Sequence, residues 1–151
     1  MITSCCRIGL LLAVLFAAAV PAAAQQSKVE SIRVHLFKEN TGTLSDDIVT
    51  NNPGLWNVII GDNQAESFLV SIVIIGKPDS YDRDGRVVVS VFDDDAKKRV
   101  VQRSFRGFLF GKDGRTYKPV FVEHLTCSRV RIVARTRAGE ISETVTFRCG
   151  E

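Results

Sequence analysis

After its first two dozen residues the chain alternates between apolar and polar side chains along most of its length, the period of a half-buried strand. Lys28 to Phe37 sets Ile32, Val34 and Leu36 on one face and Ser31, Arg33 and His35 on the other. Lys38 to Gly54 then turns polar and rich in Asn and Gly, which predicts a long loop. Leu55 to Ile60 is a short apolar piece with Trp56, the single tryptophan, either as a core anchor or as a stacking platform. Phe68 to Ile75 is apolar at nearly every position, as in a central strand covered on both faces. Gly76 to Gly85 is dense in turn formers and predicts another loop. Arg86 to Phe92 and Lys98 to Phe110 read as two strands of a hairpin closed by Asp93 to Lys97, with Gly107 marking a bulge or a change of sheet. Gly111 to Gly114 is a turn signal. Arg115 to Val122 contains Pro119, which cannot donate to a ladder and therefore predicts an edge strand or one that points its missing donor outward.

The last stretch, Cys127 to Cys149, predicts a β-hairpin stapled by a disulfide near its open end. A two-residue loop at Ala138-Gly139 would set Val130 opposite Phe147 and Ile132 opposite Val145, two apolar cross-strand pairs. The two cysteines then fall one residue out of step, which predicts a slip or bulge near Cys127 or a strained diagonal bridge, the bulge being the favoured reading. A bridge closing a loop of this size is expected to contribute about 3 kcal/mol.

Seven or eight short strands with turn signals between them predict an all-β domain spanning residues 25–151. The order of pieces resembles an immunoglobulin-like or fibronectin-III-like β-sandwich. The resemblance is architectural and covers Lys28 to Arg148. It departs from antibody domains in that both cysteines lie on one late hairpin and Trp56 falls well before them.

The beginning of the chain predicts export. Arg7 precedes the apolar run Ile8 to Val20, and Ala22 and Ala24 fit a cleavage site before Gln25, so residues 1–24 read as a signal peptide. The run is shorter than the roughly 20 apolar residues a membrane span needs. Cys5 and Cys6 precede it and would leave with the peptide. Removing 24 of the 151 residues leaves 127, and the loss of Arg7 takes the formal net charge from +3 to +2. So mild a charge does not predict nucleic-acid binding. The expected location is periplasmic or secreted.

Three polar features bear on chemistry. Asp79, Asp82 and Asp84 share one loop, Asp93, Asp94 and Asp95 another, and Asp113 a third. Such residues either shape turns or supply some of the roughly six to eight oxygens calcium takes. Asp82-Arg83-Asp84-Gly85 starts like a calcium loop but lacks the downstream glutamate, so no metal is expected. Arginines recur on the strands, and Arg129, Arg131 and Arg135 share the face opposite Val130 and Ile132. They are the candidate binding residues, for a protein partner or an anionic envelope polymer. The other reading of the row is a solvated sheet face guarded against edge pairing, with Glu123, Glu140 and Glu143 as neutralising candidates. His35 and His124 are too few for a zinc site, and no Gly-x-Ser-x-Gly elbow or phosphate-binding glycine pattern occurs. The expectation is a non-enzymatic binding or structural module of the bacterial cell envelope without a cofactor. The alternative is an inhibitor or immunity-type protein that blocks a hydrolase.

Overall fold

The alternating segments assemble into two four-stranded antiparallel sheets in a computed structural model that describes residues 26–51, 65–123 and 127–147. The first sheet has the order β2-β1-β3-β6, from β1 (Lys28–Lys38), β2 (Thr43–Leu44), β3 (Ser67–Ile75) and β6 (Arg115–Val122). The second has the order β5-β4-β7-β8, from β4 (Tyr81–Asp93), β5 (Lys98–Leu109), β7 (Arg129–Thr136) and β8 (Gly139–Thr146). A single helical turn, α1 (Ile48–Asn51), stands between β2 and β3. The architecture is all-β and sandwich-like. The inward residues of both sheets form one cluster, with Val34, Ile72 and Phe68 from the first and Val89, Phe108 and Ile132 from the second. Removing such side chains from water is the main favourable contribution to folding. No helix among the described residues is long and apolar enough to cross a membrane.

β3 is central in its sheet, as its nearly continuous apolar run predicts. Its second face is covered only in part. Val73 is fully buried but lies outside the core cluster, on the outer face between its register partners Ser31 and Tyr117. Further along that face Phe37 and Phe121 meet edge to face at 5.9 Å. Pro119 sits on β6, at the sheet edge, where a missing donor costs no central ladder bond.

Three expectations are corrected. The stretch predicted as a loop from Lys38 to Gly54 carries β2 and α1 within its described part. α1 forms because Asp47 caps it: Oδ1 accepts from the Val49 amide (3.1 Å) and Oδ2 from the Thr50 hydroxyl (2.7 Å). Oδ1 also accepts from the Val34 amide at 3.0 Å and so fastens the helix to β1. The loop predicted from Gly76 to Gly85 ends earlier, because Tyr81 to Gly85 belong to β4.

The third correction concerns the last hairpin. Its two-residue loop is Arg137-Ala138, closed by the pair Thr136 and Gly139, so Val130 faces Val145 and Ile132 faces Glu143. The Thr136 hydroxyl accepts from the Ala138 amide at 3.2 Å and fixes the loop at that position. The expected and observed registers differ by two residues, and a shift of two leaves every side chain on its original face. Val130, Ile132, Val145 and Phe147 are accordingly all buried, as expected. Apolar pattern alone cannot choose between the two registers. Cys149 lies outside the described residues, as do Trp56, His124, Arg148 and residues 1–24, so the expected bridge falls there too; beside Cys127, the Phe147 amide donates to Ser128 O at 3.0 Å.

Asp47 supplies a test of this local logic. Burial opposes its charge, but the Val34 amide, the Thr50 hydroxyl and the Val49 amide outweigh it and hold the carboxyl below its usual range. A depressed folded-state value stabilises fully above the unfolded value near roughly pH 4, and the contribution is lost as pH falls through the folded value. Asp47→Ala is expected to cost about 1–2 kcal/mol in urea denaturation at neutral pH, and less in acid.

Candidate functional site

The outward face of the second sheet divides into two ends with opposite electrostatic character. At one end the β4–β5 turn brings its aspartates onto β7. Asp93 Oδ1 accepts from the amides of Asp95 (3.1 Å) and Ala96 (2.8 Å), which shapes the turn and exposes its neighbours. Asp94 then receives the Arg131 guanidinium through Nε and Nη2 at 3.1–3.2 Å, while the same guanidinium lies 4.6 Å over the Phe92 ring. Asp95 Oδ2 accepts from the Arg129 amide at 2.9 Å, and its other oxygen lies 4.0 Å from Arg129 Nη2. Two of the three arginines singled out by the sequence are therefore compensated by aspartates of this turn.

The other end is built by a bulge. Asp82 pairs with Phe108 and Arg86 with Arg106, so Arg83, Asp84 and Gly85 on β4 oppose Gly107 alone on β5. Gly107 adopts φ of 67°, in the left-handed region that costs any residue with a Cβ. The bulge confirms one of the two readings given to Gly107, and the change of sheet occurs later, at Gly111–Gly114, which joins β5 to β6. Asp82 turns inward, where its Oδ2 accepts from the Ser27 hydroxyl at 2.7 Å and anchors the base of the bulge. Arg83 and Asp84 are exposed.

Because Val88 pairs with Arg135, the β7–β8 turn stands beside this bulge. Together they enclose a concavity of about 630 Å³ whose lining includes Arg83, Asp84, Arg86, Arg106, Arg135 and Arg137. Five arginines and one aspartate thus line it, with Val88 the one large aliphatic residue in the wall. Arg135 donates to Glu140 Oε2 at 2.6 Å, and Arg86 to the Ser104 hydroxyl at 3.3 Å. Among the described residues no acidic side chain pairs with Arg83, Arg86, Arg106 or Arg137. An arginine cannot shed its proton at physiological pH, so this charge is balanced by solution ions or by a ligand. Planar guanidinium groups suit carboxylate, sulfate and phosphate oxygens through two parallel bonds.

Of the sequence candidates, Arg135 lies in the concavity, and Arg129 and Arg131 lie on the same face, the latter four residues and about 13 Å away. Arg106 lies on a predicted strand and Arg137 in the last hairpin, whereas Arg83 and Arg86 fall in and beside a predicted loop whose pattern carries no binding signal. The pairing of Gly85 with Gly107 across a hairpin was the one local signal for the bulge that presents them. Arg115 lies on β6, in the first sheet, doubly bonded to Glu30 at 2.8 Å, and this pairing holds the Glu30 carboxyl below its usual range. Glu140 does neutralise part of the row, while Glu143 faces Ile132 and is half-buried at the sheet edge.

Asp113 serves local structure, its Oδ1 accepting from the Arg115 amide at 3.1 Å. Among the described residues no three His, Cys, Asp or Glu side chains are placed to hold a metal ion. His35 shares a 2.9 Å hydrogen bond with the Ser45 carbonyl.

No protein-family model matches this chain, and no curated protein matches it either. The functional reading therefore rests on the geometry and charge of the site.

Proposed function

We propose that this chain is an exported, non-enzymatic binding module of the bacterial cell envelope that captures an anionic partner in the arginine-lined concavity. The observation that carries the reading is the convergence of Arg83, Arg86, Arg106, Arg135 and Arg137 from a bulge and a turn onto one hollow with a single carboxylate in its wall. Clustered like charges destabilise a fold through mutual repulsion, so their concentration here, beside an end of the same face where arginines are individually paired, favours a role in binding. The pattern of residues 1–24 supports export to the periplasm or beyond. An immunoglobulin-like or fibronectin-III-like type and a bridge between Cys127 and Cys149 belong to the same proposal.

Inorganic polyphosphate is a suitable first probe because it offers charge without other chemistry. The protein is expected to bind it with an affinity that falls as salt rises. Replacing Arg86, Arg106 and Arg137 together by glutamine should weaken binding by about two orders of magnitude, as expected when several charge-assisted bonds are lost. Replacing Arg129 and Arg131 by glutamine removes two charges from the compensated end and should change it less than about threefold. Equal losses in the two variants, with both still folded by melting, would overturn the assignment to the concavity.

A further inference from the structure

The concavity has an apolar neighbour. Tyr81 and Leu109 pair across β4 and β5 and are 62% and 72% exposed. Both point outward, since their neighbours Asp82 and Phe108 turn into the molecule. The Tyr81 ring reaches along the sheet over Gly107: a Cβ on that glycine would stand 2.6 Å from the Tyr81 hydroxyl oxygen. Gly107 adjoins Arg106, so the phenol lies against the rim of the cationic hollow. Among the described residues nothing hydrogen-bonds the Tyr81 hydroxyl.

Resting on the anion-binding reading above, we infer that the ligand is an acidic carbohydrate, with a sugar ring seated on Tyr81 and its acidic groups held by the adjoining arginines. An exposed aromatic ring with a free hydroxyl offers an apolar face and a polar tip. A pyranose ring has the complementary character, with C–H bonds on one face and hydroxyls around its rim. Leu109 extends the platform without forming a pocket. Peptides are typically anchored by side chains entering pockets or by a long groove, and a flat Tyr–Leu ledge provides neither. Single-stranded nucleic acid is bound by successive stacking aromatics along a basic groove. Here one aromatic adjoins the hollow, on a chain whose formal net charge is only +3.

The test compares an oligouronate, polyglutamate, a single-stranded oligonucleotide and polyphosphate by calorimetric titration against the purified protein. The oligouronate should bind at least about tenfold more tightly per charge than polyglutamate or the oligonucleotide, the scale of one aromatic contact. Tyr81→Ala should remove most of that advantage while changing polyphosphate binding less than twofold, and Tyr81→Phe should retain it. Polyphosphate binding that depends on Arg86, Arg106 and Arg137, with no preference for the uronate, would overturn the carbohydrate inference and leave the anion-binding reading intact. A preference for polyglutamate or for the oligonucleotide would likewise replace the sugar with that ligand. Loss of all four interactions in the wild-type protein would overturn both readings.

Discussion

Phe68→Ala should reduce stability by about 3–5 kcal/mol, the cost typical of emptying a buried aromatic site. Phe68 is 1% exposed near the start of β3, and its ring lies 5.4 Å from that of Phe147, which follows β8 in the opposite sheet. Truncation therefore opens a cavity between the sheets, where both backbones are held by their ladders and cannot close it. A domain of this size has roughly 5–15 kcal/mol in total, so the variant should unfold at a much lower urea concentration. Phe121→Ala provides the contrast. Its ring is 45% exposed on the outer face of the first sheet, and the loss should stay under about 1.5 kcal/mol. Comparable losses in the two variants would show that the contact between the sheets is not where the packing energy resides.

Gly114→Ala should have the second largest effect, about 2–4 kcal/mol. Gly114 adopts φ of 70°, and a Cβ there would stand 2.8 Å from the Gly76 carbonyl oxygen. The same carbonyl-to-amide junction is fixed in the other direction, where the Gly76 amide donates to Gly114 O at 2.9 Å. The left-handed conformation alone costs about 1–2 kcal/mol for a residue with a Cβ. The clash adds to it because backbone, unlike the end of a flexible side chain, has nowhere to move. Gly42→Ala separates the two contributions: φ there is 66° and nothing lies within 4 Å of a Cβ. Urea denaturation should place Gly42→Ala near the conformational cost and Gly114→Ala well beyond it. The strain matters because Gly76 and Gly114 lie in two of the three connections that carry the chain between the sheets, β3 to β4 and β5 to β6.

The strands were legible because a half-buried sheet imposes a period of two wherever one face meets the core. Lys28 to Phe37 and Arg115 to Val122 match β1 and β6 to within a residue for that reason. The same period hid the register of the last hairpin, since displacements of two residues preserve the apolar face; the Thr136 hydroxyl, a local polar contact, decides between them. Tyr81 to Gly85 read as loop because Asp, Arg and Gly there serve a bulge, which breaks alternation while keeping the strand paired beyond it. The outward direction of Arg129, Arg131 and Arg135 followed from parity. What parity could not supply is that these three all have acidic partners while Arg83, Arg86, Arg106 and Arg137 have none among the described residues. That depends on Asp94 and Asp95 arriving from a turn some 35 residues earlier in the chain, and on the bulge at Arg83 standing beside the turn at Arg137. Both are products of strand order in the sheet, which no local pattern encodes.

Under the proposed anion-binding role, the unequal ends of the second sheet would also govern how a ligand arrives. The paired end of β7 and the uncompensated end are separated by about 13 Å, about one and a half times the roughly 8 Å screening length at physiological salt. A polyanion diffusing toward this face therefore meets two distinguishable regions rather than one averaged surface. It is drawn to the bulged rim first and turned so that its charged stretch leads, before any specific contact forms. A sheet whose arginines were all left unpaired would attract as strongly but without direction. The aspartates of the β4–β5 turn thus act at a distance from the hollow they do not touch, by making the approach to it oriented.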